Sequence, residues 1–232
     1  MPSTSLSRKN QYLYRHYYGY GDERTTCLPL IFQVPDLAPV SASMVPDELI
    51  CYADIPKRKP SPPRDPSIRY GVHFYIDDYR FNAVLNDIQR AISILRPYSA
   101  VLTPDYSLYR DMDLTIQRIN ILRNRTVGYW MQEAGLTVIP TVSWSDERSY
   151  EFCFDGLPKN SVLSVSSVGI LRDKEARPLF IGGYHAMIER LNPSCIMFYG
   201  KIPDWLDLKN VPVRRYENTT FARARNKGKE AA

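Results

Sequence analysis

Residues 99–147 constrain this chain more than any other stretch. An apolar run ends in Thr103-Pro104-Asp105-Tyr106-Ser107, and a charged amphipathic segment follows. Gly135-Leu136-Thr137-Val138-Ile139-Pro140 then closes on Trp144-Ser145-Asp146-Glu147. The pattern reads strand, helix, strand, and a connection of that length implies parallel pairing. Polar and aromatic residues fall just past the carboxyl end of each strand, where open α/β sheets and α/β barrels keep their ligand sites.

The same alternation extends to both sides. Residues 70–78 form an apolar strand ending on Asp77-Asp78-Tyr79-Arg80, and Phe81, Val84, Leu85, Ile88, Ala91, Ile92 and Leu95 keep the three-and-four spacing of one helix, which Pro97 stops. After Asp113, Ile116, Ile119, Val127, Trp130 and Ala134 form a second helical stripe, with Arg123 on it. Strands are expected at 162–167 and 195–199, with a helix at 179–191 between them and a weaker strand at 211–216. Short strands at 28–34 and 49–54 precede them. Little helical pattern exists before Tyr70 or after Gly200, so the fold class expected is α/β, as an incomplete or distorted (β/α) barrel, with an open, mostly parallel sheet as the alternative. The expected organisation is one α/β domain over 27–221, an aromatic and basic arm over 1–26, and a disordered basic tail over 222–232.

Composition narrows the class. Four cysteines, Cys27, Cys51, Cys153 and Cys195, form no close pair and have no histidine at ligand spacing, which argues against zinc and for buried thiols in a reducing compartment. No apolar run approaches the ~20 residues of a membrane span and no secretory leader is apparent, so a soluble, cytoplasmic protein without a membrane partner is expected. A net charge of +5 favours an acidic partner only mildly. The arm interleaves Arg8, Lys9, Arg15 and His16 with Tyr12, Tyr14, Tyr17, Tyr18 and Tyr20, a mixture that suits single-stranded nucleic acid or packing over a domain edge. Residues 55–69 carry five prolines and five Arg or Lys, including Lys57-Arg58-Lys59, and read as a surface loop.

If the strands are parallel, several acids meet at one rim. Asp78, Asp105 and Asp146 are the candidate catalytic carboxylates, able to supply a general acid and base or, with Asp77, to hold a magnesium ion; no protein metal ligand set is assigned. Asp78 could equally cap the following helix, and Asp105 could cap the next one or pair with Arg110. Candidate ligand contacts are Asp77, Arg80, Tyr106, Ser107, Tyr109, Trp144, Arg123 and Arg125, the last two because a guanidinium on an apolar face needs an anionic partner from the protein or a ligand; the alternative is that the helix breaks near Asn124 and leaves Arg123 in water. Gly182-Gly183 could bring backbone amides to a phosphate or form a plain turn. These residues support an enzyme of nucleotide or nucleic-acid metabolism, with a hydrolase or transferase reaction. The alternatives are a nucleic-acid-binding accessory protein without chemistry and a ligand-sequestering inhibitor of host functions.

His73-Phe74-Tyr75-Ile76-Asp77-Asp78-Tyr79, Leu102-Thr103-Pro104-Asp105-Tyr106-Ser107-Leu108-Tyr109, Arg123-Asn124-Arg125, Val138-Ile139-Pro140-Thr141-Val142-Ser143-Trp144 and Phe152-Cys153-Phe154-Asp155-Gly156-Leu157-Pro158 together resemble the domain of unknown function family 4417, found in bacteria, phages and other mobile elements. The resemblance covers residues 28–200 and implies no catalytic residue. A shorter similarity, through Ser166-Ser167-Val168-Gly169-Ile170 and Pro193-Ser194-Cys195-Ile196-Met197-Phe198-Tyr199-Gly200, is to barrel enzymes that exchange guanine-type bases. Residues 211–216 lack the nucleophilic aspartate those enzymes need, and their zinc cysteines are missing, so base exchange is the lesser reading.

Overall fold

The strands pair in parallel throughout, whether or not an α-helix connects them. The computed structural model describes residues 34–56, 65–171 and 173–218, and every element below belongs to the unit Pro35–Ala232. The arm, the strand expected at 28–34 (all but its last residue), the Lys57-Arg58-Lys59 loop and the tail after 218 lie outside the described residues. Strands β1 (Glu48–Cys51), β2 (Tyr70–His73), β3 (Ala100–Leu102) and β4 (Val138–Ile139) form one parallel ladder in that order. Strands β5 (Val162–Ser166), β6 (Cys195–Tyr199) and β7 (Val213–Tyr216) form another. A parallel bridge between Thr141 and Ser164, with Val142 N–H donating to Ser164 O and Ser164 N–H to Pro140 O, both at 2.8 Å, joins the two edge to edge.

A flat sheet in this order would hold β2 and β6 roughly 19 Å apart and β1 and β7 roughly 29 Å apart, at about 4.8 Å per strand. Instead Tyr75, just past β2, stacks on Tyr199 of β6 at 4.9 Å and hydrogen-bonds Ser164 of β5 at 2.7 Å. Tyr216 Oη of β7 donates to Pro46 O, just before β1, at 2.5 Å, and Arg214 reaches the Asp47 carbonyl at 3.2 Å. The sheet is therefore rolled, and Leu49, Leu102, Ile139, Val162, Met197 and Tyr216 share one apolar cluster inside it. Among the described residues no ladder closes β7 onto β1. The fold is mixed α/β with parallel strands, and its ladders are those of an open sheet.

The helix expected over 81–95 is two helices, α1 (Asn82–Asn86) and α2 (Ile88–Leu95), following a 3₁₀ turn at Asp78–Arg80. Asp87 causes the break: its carboxylate accepts from Arg90 N–H at 3.1 Å, so it caps α2 rather than continuing α1. Helix α3 (Leu114–Glu133) runs unbroken for 20 residues behind an Asp113 cap. It ends where Gly135, at φ +81°, lets Leu136 N–H reach Met131 O and Gly135 N–H reach Gln132 O. Helix α4 (Ala176–Leu191) begins before the glycine pair and ends on Asn192 in the left-handed region. No helix among the described residues is long and apolar enough to cross a membrane. Cys51, Cys153 and Cys195 are buried free thiols.

Candidate functional site

The connection from β3 to α3 is held in place by the helix it leads to. Asn124 donates to Pro104 O at 2.7 Å, Asn120 to Ser107 O at 2.8 Å, and Gln117 to Tyr109 O and Met112 O at 3.1 and 2.9 Å. Three amides at i, i+3 and i+7 thus present one stripe to the loop and satisfy carbonyls that a loop would otherwise have to leave to water. This polar stripe, with Arg125, Val127, Trp130 and Met131, is the buried face of α3; the expected apolar stripe is displaced, for Ile116 is exposed. Thr103 and Thr141 lock the ends of β3 and β4 together through hydroxyls 2.8 Å apart.

Asp105 sits at the apex of this loop, where Tyr106 N–H returns to Pro104 O at 3.0 Å across it. It is half-buried and lines a cleft of about 940 Å³ at the carboxyl ends of the strands. Burial, and then the Asp78 carboxylate nearby, push its pKa up to about 7, against the pull of a hydrogen bond from Ser143. Asp78 does not cap its turn. Its carboxylate accepts from Ser107 Oγ at 2.9 Å and from Ser107 N–H at 3.2 and 3.3 Å, docking the β3 loop against the exit of β2. Asp77 and Arg80, both exposed, line the mouth.

The opposite wall is aromatic. Trp144 donates from Nε1 to Leu179 O at 3.2 Å, packs on Phe180 at 5.3 Å, and lies so flush with α4 that a Cβ on Gly183 would fall 2.2 Å from Nε1. Gly183 therefore serves close packing, and neither glycine offers amides to a phosphate: both lie inside α4, with their N–H groups committed to the helix. Tyr106 also lines the cleft, with its ring edge-on to Phe81 at 5.2 Å, and Tyr109 stands exposed at the rim. Ser107, Ser143, Ser145 and Ser166 contribute hydroxyl-bearing residues.

Other sequence candidates are placed elsewhere. Asp146 is outside the cleft lining; it caps the 3₁₀ turn Glu147–Glu151 and holds Arg148 at 2.7 and 3.1 Å, and Arg148 lowers its pKa. Arg123 donates to Asn120 Oδ1 at 3.1 Å and does not line the cleft. Arg125 is fully buried and needs no anion: it donates to Asp155 O, Cys153 O and Asn124 Oδ1 at 3.0, 2.8 and 2.5 Å, and burial lowers its pKa to about 10. It staples α3 to the 153–155 segment. Among the described residues no group of three or more His, Cys, Asp or Glu is placed to hold a metal ion, and no step is routed through one. Tyr75, Ser143, Ser166 and Phe180 line the cleft but were not singled out in the sequence; their signal was position just past β2, just past β4, at the last residue of β5, and on α4, respectively.

A family model described as a domain of unknown function, DUF4417, matches residues 28–217, a span that contains the rolled sheet and the whole cleft apart from Asn218. The chain belongs to the DUF4417 family. Two similar relatives within reach of this DUF4417 chain are phage proteins. The Gene 1 protein of Mycobacterium phage L5 is 34% identical over 187 residues, covering 80% of this chain and 78% of the relative. The Gene 1 protein of Mycobacterium phage D29 is 31% identical over 201 residues, covering 86% and 72%. The family association is thus with phages. No solved structure matches the chain.

Proposed function

We propose that the cleft binds a nucleotide-type small molecule and that Asp105 exchanges a proton with it, as the general acid–base group of a hydrolase- or transferase-type reaction. The observation that carries this reading is Asp105 itself, a carboxyl at the apex of a rigid loop, inside a cavity, with a pKa of about 7. A carboxyl titrating near neutrality both gives and takes a proton at physiological pH, which an ordinary aspartate does not. Cleft volume and lining support a small ligand: about 940 Å³ lies within the usual range for such pockets, and a fixed indole beside hydroxyl-bearing residues suits a planar ring with polar substituents.

In this reading Asp78 is a positioning group. It adds to burial in keeping the proton on Asp105, while its own oxygens are filled by Ser107. Asp146, paired with Arg148, takes no part. A protein that sequesters the same ligand without turnover is the second reading of the cleft, since both need the same cavity. The accessory nucleic-acid reading rests on the arm and the Lys57-Arg58-Lys59 loop, which lie outside the described residues.

The test is a carboxyl ¹³C titration of the full chain by NMR. Asp105 is expected to titrate near pH 7, and lower in Asp78→Asn but still above an ordinary aspartate, because burial is the larger cause. A midpoint close to 4 in the wild type removes the reading. Native mass spectrometry of freshly purified wild type and Asp105→Asn then looks for the co-purified ligand, expected in the first and reduced in the second.

A further inference from the structure

Anion-binding devices at the ends of parallel strands are helix N-termini and arginines, and here the protein has filled nearly all of them itself. At the start of α4 the Asp173 carboxylate accepts from Glu175 N–H at 2.9 Å and Ala176 N–H at 3.1 Å. Asp113 does the same for α3, accepting from Thr115 N–H at 2.7 Å, and Asp146 for the turn after β4, accepting from Arg148 N–H at 3.0 Å. Arg110 lines the cleft but is held by Glu175 at 3.0 Å and Asp173 at 3.1 Å. Arg80 has no such partner among the described residues. The charged lining is then Asp77, Asp105, Asp111 and Asp173 against Arg80 and Arg110, with Arg110 already neutralised. Among the described lining residues, a polyphosphate would meet four carboxylates with Arg80 as the one unpaired guanidinium.

Deeper in, the character changes to flat and hydrogen-bonding. Trp144 is immobilised by Leu179 O and by Gly183, so a planar ring can stack on it without first ordering a mobile side chain. Asp105 lines the same cleft as a carboxyl that can accept from a ring N–H. Resting on the reading of the cleft as a nucleotide-type site, we infer that it takes the base or nucleoside end of its ligand and rejects polyphosphate groups, because Asp173, in the lining, already caps the start of α4, and Asp77 and Asp111 add negative charge beside it.

The experiment is calorimetric titration of the full chain at pH 7 and low salt, without added metal. The probes are adenosine, guanosine, cytidine, uridine and thymidine with their 5′-triphosphates. At least one nucleoside is expected to bind, with its triphosphate at least ten-fold weaker. Binding is expected to be lost in Asp105→Asn, whose fold is checked by circular dichroism. In two buffers of different ionisation enthalpy, the nucleoside should release protons, since an N–H donor favours the ionised form of Asp105. The titratable groups acting on that carboxyl are Asp78 and, just past β2, Tyr75, and Asp77, Arg80, Arg110 and Asp173 share the cleft lining with it. Asp173→Asn is expected to narrow the gap between nucleoside and triphosphate. A triphosphate that binds as tightly as its nucleoside, or tighter, overturns the inference and leaves the nucleotide-type site standing; binding by none of the ten probes overturns both.

Discussion

Asp105→Asn should make the protein more stable, and increasingly so as pH rises. The carboxyl goes from 3.8 in the unfolded chain to about 7 in the fold, so between those values the native state holds a proton that the unfolded state has released. Stability contributed by the protonated group is fully present below pH 3.8 and is lost as pH rises through 7. At about 1.4 kcal/mol per tenfold, the ionised group costs the fold about 4 kcal/mol above pH 7, less whatever water entering the cleft screens away. Asparagine keeps the size and never ionises, so the difference between variant and wild type should grow by about 2–3 kcal/mol between pH 5 and pH 8. Urea unfolding of both proteins at pH 5, 6, 7 and 8 measures that difference, in which titrating groups that do not interact with Asp105 cancel. Curves that stay parallel across the range, or a variant that loses ground as pH rises, would refute the account of Asp105 as a desolvated carboxyl beside Asp78. The same variant should lose ligand binding, a gain in stability against a loss of function that a capping aspartate would not give.

Gly183→Ala should destabilise by about 1–3 kcal/mol, because the added carbon meets a Trp144 ring that cannot retreat, whereas Gly182→Ala, facing only Tyr150 Oη at 3.0 Å, should be close to neutral; melting temperatures of the pair decide whether the glycines serve packing. Arg125→Met should cost about 2–4 kcal/mol by stranding the Cys153 and Asp155 carbonyls, and Arg125→Lys should not restore it, as read by chemical unfolding. Asp146→Asn should cost less than about 1 kcal/mol at pH 7. That small cost should vanish as pH falls below the ordinary aspartate range, because Arg148 lowers this pKa, the opposite sign to Asp105; a stability difference that instead grew on acidification would contradict the cap.

The sequence by itself determined the succession of parallel strands and their carboxyl-end corners, because period and turn chemistry are local. Cys195–Tyr199 could be read as one apolar run to its last residue, and Pro104 announces a stiff exit from β3 wherever the rest of the chain goes. What it could not supply was which corner residues share a cavity. Asp78, Asp105 and Asp146 occupy equivalent places after three strands, yet one is filled by Ser107, one is desolvated on the cleft floor and one is paired with an arginine two residues away. From the sequence Gln117 and Asn120 have no assigned role and Asn124 stands only within a family block, yet all three are buried because carbonyls of the 104–112 loop come to meet them. Arg125 asked for an anion and found carbonyls; Gly182-Gly183 looked like a turn and lies inside α4 so that Trp144 can approach. Backbone preference and hydrophobic period are properties of neighbours along the chain, whereas desolvation, charge pairing and close approach depend on residues that only the rolled sheet brings together.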